Sequence, residues 1–350
     1  MKRSMTLLIL LAFILPGLAA CTPAEPATPI LNVMVHDSFA ISEATAAAFE
    51  QANQVRLVFV KSGDAGSMVN RAVLSKDAPQ ADVLYGVDNT FLSRALAAGI
   101  FEPYRSPLLE QIPDEFELDA TFQALPVDYG DVCLNYDKAW FAEKGLAVPG
   151  SLEDLLQPQY KGLLVVENPA SSSPGLAFLL ATVAHFGPEG WQAYWEGLRA
   201  NDLLVVNDWN TAYSTHFSGS AGRGAQPLVV SYASSPVAEV IFAETPPKVA
   251  PTGSIIAPDT CFRQVEFVGI LKGTKQRALA EKFVDFMLSV PFQEDMPLQM
   301  FVYPLNSQAQ LPEAFVQHSQ VPQQPATLPP DIISGNREAW IQAWTEIVLR

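Results

Sequence analysis

"ILNVMVHDSFAISEATAAAFEQANQVRLVFVKSG", Ile30 to Gly63, carries the pattern on which the fold turns. "ILNVMVHD" is an apolar strand of imperfect alternation. "SEATAAAFEQA" is a helix with Ser42 in position to cap its start, and "QVRLVFVKSG" is a second strand. The alternation continues: "GSMVNRAVL" is helical, "ADVLYGVD" is a strand, and "NTFLSRALAAG" is a helix closed by Gly99. Strands alternating with helices imply an α/β protein with a parallel sheet covered on both faces. In such sheets ligands bind beyond the carboxyl ends of the strands. Those ends carry His36-Asp37-Ser38, Ser62-Gly63-Asp64 and Asp88-Asn89, all polar, as a ligand-facing edge requires.

A second series follows. "LPVDYGDVCLNYDKAWF", Leu125 to Phe141, reads as a strand leaving the first unit. After it come a strand "GLLVVENP", helices over "SPGLAFLLATVAHF" and "EGWQAYWEGLRA", a strand "PLVVSYASS" and a long strand "FRQVEFVGILKG". "TKQRALAEKFVDFMLS" is an amphipathic helix with Leu279, Phe283 and Phe286 on one side. In the final helix Trp340, Trp344 and Val348 recur at i+4, a core-packing face rather than a ligand box. "VPQQPATLPP" is a Pro-rich surface connection. With 350 residues, 49% of them hydrophobic and 17% charged, the chain can bury a sizeable core and suggests two lobes.

Lys2 and Arg3 precede the apolar run "MTLLILLAFIL", Met5 to Leu15, which is followed by Pro16-Gly17 and "LAAC". This is the layout of an export signal, and the run is too short and too soon broken to span a membrane. The Leu-Ala-Ala-Cys ending resembles a bacterial lipobox, which implies lipidation of Cys21; a plain secretory signal with an incidental cysteine is the alternative. "TPAEPATP", Thr22 to Pro29, is then a stiff polar tether. Two cysteines remain, Cys133 and Cys261, and outside the cytoplasm such a pair invites a disulfide, two buried thiols being the other reading. The formal charge of −16 argues against a nucleic-acid partner and is compatible with a cationic ligand.

Enzyme motifs are essentially absent. Of the four histidines, His36, His185, His216 and His318, none has metal-ligand spacing with another histidine or a cysteine. His185 sits late in an apolar helix, where a capping or core role is expected. What does stand at loop positions after strands is a set of aromatics and small hydroxyls. "NPASSSPGLAF", Asn168 to Phe178, sets serines before Pro174 at a helix start, whose free N–H groups and the Ser172 and Ser173 hydroxyls suit an anionic or hydroxyl-bearing group. Simple N-capping is the alternative. "SYASSP" adds Tyr232, and "FVYP" adds Phe301 and Tyr303. In "VVNDWNTAYSTHF" Trp209 stands alone among polar residues. Together these suggest a polar-walled aromatic cleft, where ring faces attract a cation by roughly 0.5–2 kcal/mol each.

The series "VHDSF", "ADVLYGVDNTFL", "PVDYG", "SSSPGL", "DWNTAY", "LVVSYASSP", "PLQMFVYPL" and "REAWIQAW" resembles the periplasmic thiamine-binding proteins of bacterial ABC importers, in the same order from about Leu31 to the C-terminus. The resemblance implies a two-lobed periplasmic-binding fold of type II with two crossover strands at the hinge. It implies lobes of residues 30–130 plus 264–302 and 131–263 plus 303–350, behind a signal peptide over 1–20 and a tether over 21–29. The implied ligand is thiamine, its monophosphate or its diphosphate, with no cofactor and no metal. Carried over by position, the site comprises Asp64 and Ala65, Ser172 and Ser173, the ring-stacking Trp209, and Tyr232, Ala233, Ser234 and Ser235. Asp64 or Asp128 would face the thiazolium, and Asn89 lies at the same strand edge. The family has a tyrosine where this chain has His36, and a tryptophan where it has Phe301. Both keep a flat ring, but a protonated His36 would repel a thiazolium. Cys133 and Cys261 fall on or beside the crossover strands, which run side by side, so the resemblance favours their disulfide.

The implied protein is a monomeric extracytoplasmic lipoprotein that delivers its ligand to a permease. A thiaminase-like enzyme of the same fold, with Cys133 as nucleophile and Glu266 as base, is the rival reading. An iron-binding protein is a third, disfavoured because "SYASS" holds one tyrosine where adjacent tyrosines are wanted.

Overall fold

The computed structural model describes residues 28–221 and 223–350, so the export signal, Cys21 and most of the tether lie outside the described residues. The first unit runs β1 (Ile30–Val35), α1 (Glu43–Asn53), β2 (Arg56–Lys61), α2 (Ala65–Leu74), β3 (Val83–Asp88), α3 (Leu92–Ala98) and the short β4 (Phe101–Glu102). Ser42 caps α1 by accepting the Thr45 N–H at 3.2 Å, and Gly99 ends α3 at φ 66°. After β5 (Leu125–Asp137) and α4 (Lys138–Lys144), the second unit runs β6 (Leu164–Glu167), α5 (Ser173–Ala200), β7 (Leu204–Val206), β8 (Leu228–Tyr232), α6 (Ser235–Ile241) and β9 (Thr252–Ile255). Then β10 (Phe262–Leu271) returns, followed by α7 (Arg277–Leu288), α8 (Val290–Gln299), β11 (Tyr303–Pro304), α9 (Glu313–His318) and α10 (Pro330–Val348).

The strand order is β2-β1-β3-β10-β5-β8-β6-β7. The two wings are parallel, with Val33 opposite Val83 in one and Val165 opposite Leu204 in the other. The centre is antiparallel, which corrects the expectation of a wholly parallel sheet. The reason is the route of the chain. The 13-residue β5 pairs with β10 from Leu125 to Val132 and with β8 from Val132 to Tyr136. It thus carries the chain from one wing to the other, and β10 brings it back in the opposite direction.

These two strands are tied together by side chains. Arg263 on β10 grips Asp131 on β5 with two hydrogen bonds of 2.9 and 3.0 Å, and lies over the Tyr129 ring at 4.8 Å. Tyr129 stacks on Tyr303 at 5.0 Å, so Tyr303 belongs to this hinge stack rather than to a cleft wall. Cys133 and Cys261 form a disulfide, both sulfur-bearing residues wholly buried and their Cα atoms 4.3 Å apart.

The helices follow their apolar faces. α5 bends at Gly187, where φ is 69° and Pro188 follows, which divides it into the two helices read from the sequence. Beyond the bend Trp195 meets Trp344 of α10 edge to face at 5.4 Å, while Phe283 of α7 meets Phe49 of α1 at 5.2 Å. Each buried phenylalanine contributes roughly 1.5–3 kcal/mol. His185 departs from its expected capping or core role: it is partly exposed and bonds Glu153 at 2.8 Å, with Asp259 at 3.6 Å. The Glu153 and Asp259 carboxylates give the imidazole polar neighbours at the surface.

Candidate functional site

A cavity of about 570 Å³ opens between the two wings, within the range that encloses a small organic ligand. Its first wall comes from the ends of β1 and β2 and from the chain before β11; its second comes from the start of α5, the Trp209 segment and α6. Of the residues singled out in the sequence, His36, Asp64, Ala65, Ser173, Trp209, Tyr232, Ser235 and Phe301 line it.

Trp209 is held on three sides. Its Nε1–H donates to Ser231 Oγ at 2.9 Å, Tyr213 stacks on it at 5.0 Å with 15° between the planes, and Tyr232 meets it edge-on at 6.3 Å. A wide helical turn over Thr211–His216, closed by the Phe217 N–H on the Ala212 carbonyl, sets Tyr213 beneath the indole. With one face covered by Tyr213, only the opposite face is available for stacking on a ligand. The lone tryptophan in its polar stretch is therefore a cavity ring, not a misplaced core residue.

Asp64 caps α2, its Oδ1 accepting the Ala65 N–H at 2.7 Å. It also reaches across the cleft, where Oδ2 accepts the Trp209 N–H at 3.1 Å and Oδ1 lies 3.5 Å from the Ser173 N–H. The start of α5 thus already faces a carboxylate, as a helix N-terminus favours. Beside it the Ser67 N–H donates to the Ser171 carbonyl at 3.2 Å. The approach needs Gly66, because a Cβ there would lie 2.8 Å from that carbonyl oxygen.

At the cavity floor His36 Nε2 lies 3.2 Å from Glu266 Oε1. Burial opposes the charge on His36, but Glu266 outweighs it and holds the imidazole above its ordinary pKa; burial likewise works against Glu266, and His36 holds that carboxyl below its own. The single Tyr85 O–H is shared between Asp128, at 2.6 Å, and Glu266, at 3.1 Å. Burial and the charge of Glu266 push the Asp128 carboxyl well above the carboxylate range, which favours its protonated form. Asp88, behind them, is pushed up to about 6 by burial despite hydrogen bonds from Thr90. The Glu266 carboxylate stands beside His36 and offsets the positive charge that a protonated imidazole would present to the cavity.

Five expected residues stand elsewhere. Asn89 sews β3 to β10, its side chain donating to the Arg263 carbonyl and accepting the Val265 N–H, each at 3.1 Å. Asp128 is wholly buried beneath the floor, so it cannot touch a cavity cation. Ser172 is buried at the N-cap of α5 without a side-chain capping bond. Ala233 packs beside the disulfide, and its N–H donates to the Asp131 carbonyl at 2.9 Å. Ser234 donates its hydroxyl to the Phe301 carbonyl, steadying a residue whose φ of 56° is unusual for a side chain of that size.

Ser38, read from the sequence at the ligand-facing edge, lines the cavity, and Tyr213, Glu239, Phe242 and Asn210 line it without having been singled out. Tyr213 had a local signal, since it follows Trp209 by four positions in "DWNTAY". Glu239 and Phe242 had none: they lie past Ser235 on what reads as the ordinary outer part of a helix. Glu239 Oε1 accepts the Tyr213 hydroxyl at 2.9 Å, and Phe242 meets Phe301 at 5.5 Å at the cavity mouth.

Cys133 lines no part of the cavity and has no free thiol, which removes the nucleophile from the thiaminase-like reading. Among the described residues no group of three or more His, Cys, Asp or Glu is placed to hold a metal ion.

The family model for bacterial extracellular solute-binding proteins matches residues 78–323. A thiamine-binding periplasmic protein of Salmonella typhimurium is 31% identical over 346 residues, covering 96% of this chain and 98% of that one. A solved periplasmic thiamin binding protein superposes with a TM-score of 0.80 at 27% identity, over 92% of this chain and 97% of the other. A periplasmic binding protein from Actinobacillus pleuropneumoniae, solved with fructose-6-phosphate bound, superposes at 0.79 with 22% identity, over 92% and 99%, and shares the fold.

Proposed function

The chain belongs to the bacterial extracellular solute-binding protein family, and we propose that this member captures thiamine between its lobes and delivers it to an ABC importer. The observation that carries the reading is the cavity wall itself. Trp209, Tyr213, Tyr232 and Phe301 offer ring faces, and Asp64, Glu239 and Glu266 outnumber the single cationic side chain, His36. A flat, positively charged heterocycle fits such a wall better than an anion or a sugar does. The match runs over 96% of this chain and 98% of its thiamine-binding relative.

Closure would bring together a lobe of residues 30–130 plus 264–302 and a lobe of 131–263 plus 303–350, with β5 and β10 as the hinge. Ligand bridging both walls would shift the open–closed equilibrium, and the closed form would be what the permease recognises. Acylation of Cys21 would hold this monomeric receptor at the outer side of the cytoplasmic membrane or in the periplasm. No cofactor is needed.

Calorimetric titration of the purified protein with thiamine, thiamine monophosphate and thiamine diphosphate tests the reading and ranks the three. One-to-one binding with the ligand recovered intact is the expected result. Absence of heat with all three would sink the thiamine assignment; ligand consumed would replace it with an enzyme.

A further inference from the structure

The carboxylates around the cavity differ in what they have left to offer. Asp64 meets the N–H groups of Ala65, Trp209 and Ser173. Glu266 is neutralised by His36 and accepts from Tyr85. Asp128 lies beneath the floor. Glu239 is the exception. It stands on α6 one turn beyond Ser235, half-buried in the cavity wall, and makes no ion pair among the described residues. Its Oε1 takes one hydrogen bond, from the Tyr213 hydroxyl at 2.9 Å, and no protein donor meets Oε2 among the described residues.

We propose that Glu239 is the residue that neutralises the positive charge of the bound ligand, and that it makes the cleft select a cationic heteroaromatic ring over a neutral ring of the same shape. The inference deepens the thiamine reading and rests on it. Two features place this carboxylate to act. Tyr213 fixes one of its oxygens and also stacks on Trp209, so the ring surface and the counter-charge are aligned by one side chain. Phe242, three residues further on, is 74% exposed yet lines the cavity and meets the Phe301 ring at 5.5 Å, so two rings stand beside Glu239 in the same wall. A charge pair formed behind these rings is screened less than one on open surface.

The test compares thiamine with its neutral thiophene isostere on the purified wild-type protein and on Glu239→Gln, by calorimetry. Wild type is expected to prefer thiamine; Glu239→Gln should lose at least tenfold in thiamine affinity and less than threefold for the neutral isostere. Glu239→Asp, which keeps the charge on a shorter arm, should recover part of the loss, and thermal melts of all three proteins exclude misfolding. Equal losses on both ligands, or an unchanged thiamine affinity in Glu239→Gln, would overturn the role of Glu239 while leaving the thiamine reading intact. A wild-type protein that binds neither ligand would overturn both.

Discussion

Asp64 and Trp209 stand 145 positions apart and on opposite walls of the cleft, yet the Asp64 carboxylate accepts the Trp209 backbone N–H at 3.1 Å. The carboxylate at the end of β2 is therefore a cross-cleft latch as well as a helix cap. Asp64→Ala should weaken thiamine binding roughly 10–100-fold, the value of one or two charge-assisted hydrogen bonds. The loss should appear mainly as faster dissociation in stopped-flow traces. Asp64→Asn keeps an acceptor and should lose less; equal dissociation rates for wild type and Asp64→Ala would remove the latch.

Trp209→Ala is expected to be the most damaging single change to affinity, on the order of 100-fold or more, since it deletes the stacking ring and removes its contacts to Tyr213 and Ser231 Oγ. Trp209→Phe should retain part of the stacking. A calorimetric affinity within threefold of wild type for Trp209→Ala would mean that the ligand lies elsewhere.

The disulfide should matter to stability and not to recognition. It closes a loop of sequence separation 128 and lies away from the cavity. Replacing both Cys133 and Cys261 by alanine should cost about 2–4 kcal/mol in urea unfolding. Thiamine affinity should change less than threefold. A large affinity loss with unchanged stability would make the bond part of the closing motion instead.

Asp128→Asn tests the buried acid under the floor. Burial and the Glu266 charge raise the Asp128 carboxyl well above its ordinary pKa in the folded protein, whereas in the unfolded chain it ionises above about pH 3.9. Between those values the folded state holds the extra proton, so the wild type loses stability as pH rises from about 4, by up to about 1.4 kcal/mol per pH unit. Asparagine can donate to Glu266 and accept from Tyr85 as the protonated acid does, without the proton. The variant should therefore melt at or above wild type at pH 7.5, with the gap closing towards pH 4. His36 slopes the same way: its raised pKa gives a contribution complete below about pH 6.5 and lost as pH rises through the folded value. A melting temperature for Asp128→Asn well below wild type at pH 7.5 would show the carboxyl to be ionised.

The strand–helix alternation from Ile30, the cap at Ser42, the stop at Gly99 and the break at Gly187-Pro188 were all legible in the sequence, because each depends on residues within a few positions of one another. The short β7 and β9 were not, nor was α8, which carries Pro291 in its first turn and Pro297 within it. Those elements take their shape from neighbours distant in the chain. Trp209 was likewise legible as a cavity ring, since a large apolar side chain in a polar stretch needs a partner the stretch does not contain.

What the sequence determined by itself is thus the local order: two α/β units, two long connecting strands, and an aromatic, hydroxyl-rich set of loops at the strand ends. Tertiary structure alone decided the duties of the charged and polar groups. Asp64, Asp88, Asn89, Asp128, Glu239 and Glu266 look alike as polar residues in a string. One is a latch, two are buried acids or their supports, one sews strands, one is locked to His36 and one is left to face the cavity. A carboxylate's chemistry follows from the donors and charges within a few ångströms of it, and here the partners that tell these residues apart, such as Trp209 for Asp64 and His36 for Glu266, come from segments far along the chain.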